Sequence, residues 1–61
     1  MKFEMYDEIK VVDKESEYFG LCGHVAEYDD TDEVYVVFLD IGYGVEIDRE
    51  IRESQLEALE W

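Results

Sequence analysis

The sequence predicts an all-β fold: one small five-stranded barrel over residues 1–61, with a short helical turn near the C-terminus. Three observations predict it. Short apolar runs rich in β-branched and aromatic residues recur along the chain, each closed by glycine or by a cluster of acids. Gly20 and Gly23 interrupt the second of these runs, where glycine marks a bulge, a sharp bend or close backbone approach. With 48% apolar and 15% aromatic residues, the chain is too rich in core formers for a disordered acidic segment.

The organising stretch is Phe19 to Asp40, two strands joined by the acidic turn Asp29-Asp30-Thr31-Asp32. Before it, Met1 to Met5 mixes apolar and charged residues and reads as an edge segment or a tail. Ile9 to Asp13 forms a first short strand, with Ile9 and Val11 on one face by the two-residue period. Lys14-Glu15-Ser16-Glu17 is a polar loop whose far end is expected to anchor on the core through Tyr18 and Phe19. Leu21, Val25 and Tyr28 belong to the second strand, and Val34 to Leu39 reads as a buried third strand.

The acidic turn lacks an Asn-Gly or Asp-Gly pair, so a four-residue loop is expected there. At Ile41-Gly42-Tyr43-Gly44 the glycines supply positive φ for a second turn. Val45 to Glu50 alternates cleanly, Val45 and Ile47 inward and Glu46, Asp48 and Glu50 outward. In the tail, Ile51, Leu56 and Leu59 fit either a helix or a short turn followed by a closing strand at Leu56–Leu59.

Taken in order, Tyr6-Asp7-Glu8-Ile9-Lys10-Val11, then Phe19-Gly20-Leu21-Cys22-Gly23-His24-Val25, then Val34 to Asp40, then Ser54-Gln55-Leu56-Glu57, the chain resembles SH3-like small barrels. It is most similar to the KOW-type barrels of ribosomal and transcription proteins and to the photosystem accessory subunit of the same plan. The resemblance covers about fifty residues, from Tyr6 to Glu57, and its motif concerns fold alone, since any small bent barrel wants glycines at those places. KOW-type barrels that touch RNA carry basic loops. Here the loops hold Glu15, Glu17, Asp29, Asp30, Asp32 and Glu33, so the nucleic-acid role does not carry over.

Eighteen acids against five bases give a net charge of −13. That exceeds the magnitude of about 2–8 that suffices for solubility in a small domain, and self-repulsion on this scale costs stability. Direct binding to nucleic acid or to an anionic membrane is disfavoured. The longest apolar run, Val34–Leu39, falls far short of the ~20 residues of a spanning helix. MKFEMYDE has no signal-peptide core, and the single Cys22 fits a reducing compartment, so a cytoplasmic location is expected.

No chemistry stands out. Counting from Asp29, an EF-hand would need glycine at Val34 and glutamate at Asp40, so no metal site is assigned and a solvated turn accounts for the acids better. Cys22 and His24 are conceivable as a thiol–imidazole pair, but the chain offers no further Cys or His for zinc and no obvious third catalytic member. Carboxylate pairs such as Asp7/Glu8 and Glu46/Asp48 would need a cleft that a chain of this size has little room to build. No catalytic residues and no cofactor are expected.

Charge is the better lead. DNA carries one charge per ~1.7 Å of axis, so thirteen charges match about 22 Å of duplex, close to the size of the domain itself. The expected function is a non-enzymatic acidic module that engages the basic surface of a nucleic-acid-handling protein, in the manner of phage-encoded DNA-mimic inhibitors. Its partner-binding residues would be Glu15, Glu17, Asp29, Asp30, Asp32, Glu46, Asp48 and Glu50, with Tyr28 and Tyr43 as aromatic contacts. The alternative is a structural accessory subunit or SH3-type peptide-binding module whose charge serves only solubility and whose tyrosines do the recognition.

Overall fold

A computed structural model of the chain describes residues 2–59. Five antiparallel strands follow one another: β1 (Glu8–Val11), β2 (Cys22–Asp29), β3 (Val34–Gly42), β4 (Val45–Arg52) and β5 (Leu56–Ala58). A 3-10 turn at Glu53–Gln55 links the last two, so the tail is a turn followed by a closing strand. The strands form one sheet in the order β4-β3-β2-β1-β5. β4 and β5 are therefore its outer strands, and no hydrogen-bonded ladder joins them among the described residues.

The bend in the sheet comes from β2. Its first residues, Cys22 to His24, pair with β1 on one side and β3 on the other. The register then skips between Val25 and Glu27, which leaves Ala26 as an extra residue and turns the strand. At Gly23 a Cβ would lie 1.7 Å from the Phe38 carbonyl oxygen, so only glycine fits where the β3 backbone passes.

Inside the bend lie Phe3, Ile9, Val11, Val25, Tyr35, Val37, Leu39, Ile51 and Leu56, with Tyr18, Leu21, Tyr28 and Ile47 packed around them. Burial of these side chains is the main favourable term for a domain this small. Phe3 shows that the N-terminal segment is part of the core rather than a tail. The Tyr35 hydroxyl accepts hydrogen bonds from the backbone N–H groups of Lys2 (2.9 Å) and Phe3 (3.0 Å), and the two rings meet edge to face at 5.3 Å. Gln55 fastens the other end: its side-chain amide N–H donates to the Asp13 carboxylate (2.9 Å) and its backbone carbonyl accepts from the Val12 N–H (2.9 Å).

Three expectations about packing are corrected. Val34–Leu39 is not buried as a run: Tyr35, Val37 and Leu39 point inward, while Phe38 is exposed and Val34 and Val36 half-exposed on the other face. Phe19 is exposed, and Tyr18 alone anchors that loop on the core. Val45 is also exposed, because the register shift between Asp40 and Gly42 lifts the start of β4 away from the core at the hairpin tip. No helix among the described residues is long and apolar enough to cross a membrane.

Candidate functional site

The two-residue period sends one set of side chains from every strand away from the core, and the register lines them up. Across the outward face, Glu46 of β4 meets Asp40 of β3, which meets Cys22 of β2. The next row is Asp48, Phe38, His24 and then Glu8 of β1. Below it lie Glu50, Val36 and Glu27, and then Arg52, Val34 and Asp29. The result is a stripe of Val34, Val36 and Phe38 along β3. It is flanked by the Glu46/Asp48/Glu50 column on one side and by Glu27 and Asp29 on the other, with Asp40 at its end. Side chains two apart in such a column are about 6.6–6.8 Å from each other.

The face has two ends. At one, Asp29, Asp32 and Glu50 bring carboxylate oxygens within 4.8 Å of one another, so the β2–β3 turn extends the β4 column. The turn holds its shape through Asp29, whose Oδ1 accepts from the N–H groups of Thr31 (2.9 Å) and Asp32 (3.3 Å), and it ends on Glu33 at φ 56°. At the other end, a shallow depression of about 370 Å³ is lined by Glu8, Cys22, His24, Asp40, Glu46 and neighbours. His24 Nδ1 stands 3.9 Å from a Glu46 carboxylate oxygen, and its ring leans on Phe38 at 5.5 Å.

The other sequence-predicted residues lie elsewhere. Glu15 and Glu17 sit in the loop after β1, which folds back through the N–H of Glu15 onto the Asp13 carboxylate (2.9 Å) and of Ser16 onto the Asp13 carbonyl (3.0 Å). The Gln55 amide and then the Glu15 N–H hold the Asp13 carboxyl below its ordinary value. Tyr18 ties this loop to Arg49, whose Nε donates to its hydroxyl at 2.8 Å. Arg49 alternates with Glu46, Asp48 and Glu50 on β4, so the loop meets that strand from the side opposite the acidic column.

Asp30 borders a cleft of about 380 Å³ with Phe3, Met5, Val25, Glu27 and Tyr28. Tyr28 packs half-buried on Tyr35, ring centroids 4.8 Å apart, and contributes to the core rather than to the outward face. Desolvation by the surrounding protein raises its phenol pKa, and the nearby Glu33 charge adds to the shift. Tyr43 stands fully exposed at the tip of the β3–β4 hairpin, with φ 57°, between Gly42 and Gly44.

Sequence reasoning missed the apolar stripe and the acids beside it, Glu27 and Asp40. The signal was present in Val34–Leu39 read with a period of two, since a run apolar on both faces places half its side chains outside a sheet this small. Neither the comparison with protein-family models nor that with curated proteins finds a match.

Proposed function

We propose that this chain is a non-enzymatic acidic binding module with an SH3-like barrel plan, and that its β2–β3–β4 outward face engages the basic surface of a nucleic-acid-handling protein. The strand order and the 3-10 turn before the last strand support the SH3-like plan. The observation that carries the functional reading is the placement of charge. Carboxylates border both sides of a solvent-facing apolar stripe, which is how an interface with a desolvated centre and an electrostatic rim is built. The rim steers a basic partner and repels acidic ones, while Val36 and Phe38 supply contact that lasts after encounter. The structure spans 32 × 24 × 22 Å, so thirteen net charges over its length approach the linear charge of a duplex. In that respect the module would compete with DNA or RNA as a mimic.

The test is binding to a basic nucleic-acid-binding protein measured against salt. Affinity should fall by tenfold or more between low and moderate ionic strength. The variant Glu46→Gln/Asp48→Asn/Glu50→Gln should lose most of that salt dependence. An affinity indifferent to salt would rule the reading out. A second reading, the SH3-type peptide-binding module, is favoured by the cleft between Met5 and Tyr28. It predicts that Tyr28→Ala abolishes binding while the neutralised row does not.

A further inference from the structure

β4 is an outer strand of the sheet and runs for eight residues, Val45–Arg52, without proline. Its partner on one side is β3; its other side has no strand among the described residues. Every second residue of such a strand turns its N–H and C=O away from the sheet, ready to pair with another chain. One contact tells which set this is. Arg49 Nη1 donates to the Asp48 carbonyl oxygen at 2.6 Å, so that carbonyl faces the free edge, and with it the backbone of Glu46 and Glu50. The guanidinium stands where the N–H of an added strand would stand. The residues whose backbone faces the edge are thus the same residues whose carboxylates form the acidic column.

We infer that the free edge of β4 accepts an extended segment with Lys or Arg at alternate positions, which adds as a sixth antiparallel strand. This rests on the acidic-face reading and specifies how the partner is held. A basic side chain directly opposite Asp48, and others two residues away on either side, would each face a carboxylate at the cross-strand distance of about 4.5–5.5 Å. Their backbone N–H groups would take the carbonyls of Glu46, Asp48 and Glu50, displacing Arg49 from Asp48.

Charge argues against a second copy of this chain as occupant. Two β4 strands pairing about a two-fold axis through Asp48 would place Asp48 against Asp48 and Glu46 against Glu50. Charged residues on an outer strand, Lys above all, commonly guard against self-pairing. A column of one sign does more, since it excludes acidic strands and admits basic ones. The other outer strand, β5, offers only Leu56–Ala58 and has no such column.

The experiment compares two nine-residue peptides of alternating lysine and threonine at low salt. One has an ordinary backbone, and the other is N-methylated at each lysine. Both carry the same charge, but the second has no lysine N–H to donate to the strand edge. Binding of the first, at least about tenfold tighter than the second, together with slowed amide exchange at Glu46, Asp48 and Glu50, is the expected result. Equal binding of the two peptides with no slowed exchange on β4 would overturn strand addition while leaving the acidic-face reading intact. Failure of both peptides to bind would overturn the two together. Concentration-dependent dimerisation, with the β4 amides slowed in the absence of peptide, would also overturn the proposal.

Discussion

The two faces of β3 are built from much the same residues and do different work. Tyr35, Val37 and Leu39 point into the bend of the sheet and are fully buried; Val34, Val36 and Phe38 point out, with Phe38 36% exposed. The inward set is enclosed by Ile9, Val25, Ile51 and Leu56, so its burial drives folding. The outward set is incompletely covered, and four of its six neighbours across the strands are acids (Glu27, Asp29, Asp48 and Glu50), the others being His24 and Arg52. Apolar surface that the fold leaves in water beside a field of one sign is surface available to a partner. The lesson is that hydrophobicity along a strand does not tell core from open surface. The other side of the pleat does.

The comparison breaks most severely at Gly23. Any side chain there would collide with the Phe38 carbonyl and drive β3 from β2, so Gly23→Val should abolish the cooperative unfolding transition seen by circular dichroism. A variant melting near the wild-type temperature would show that the two strands can separate at no cost. Next come paired truncations on β3. Leu39→Ala should cost about 2–5 kcal/mol in denaturant titration. Phe38→Ala should cost less than about 1 kcal/mol while weakening partner binding. Equal losses of stability would erase the distinction between the faces.

A smaller effect isolates the polar part of the core. Tyr35→Phe keeps the ring but leaves the Phe3 N–H without its acceptor, at a cost of about 1–3 kcal/mol. Amide exchange at Lys2 and Phe3 should speed up more than exchange in β4. The smallest effect is a pH dependence. Because the phenol pKa of Tyr28 is raised in the folded chain, its contribution is fully present below the ordinary tyrosine value. It is lost as pH rises from there through the folded value. Tyr28→Phe should remove that alkaline loss, measured as the shift in unfolding midpoint between about pH 9 and pH 11, roughly one unit either side of the ordinary tyrosine pKa.

Much of the strand plan was legible. Ile9 and Val11 share one buried face and the glycines near Tyr43 carry positive φ, as the residue pattern implies; of the two readings the tail allowed, the turn before a last strand is the one formed. Those features are local, set by pleat and turn chemistry. What the sequence hid depends on contacts between distant residues. Phe3 enters the core because Tyr35, far along the chain, offers its hydroxyl to the N-terminal backbone. The acids Glu27 and Asp40 join Glu46, Asp48 and Glu50 only through register, which a skipped residue at Ala26 resets. Glu15 and Glu17, on the loop that meets β4 through Tyr18 and Arg49, look equivalent in a charge count and differ in space.

The position of β1 bears on how the protein is made. Its two neighbours in the sheet are β2 and β5, so Ile9 and Val11 are paired on one side by residues that follow soon and on the other only by Leu56 to Ala58. A chain emerging from the ribosome can zip β2, β3 and β4 as successive hairpins, but it cannot seal its first strand until those late residues are free of the exit tunnel. Completion of the fold therefore waits on those residues, and stalled chains ending before Leu56 should remain open to protease at β1.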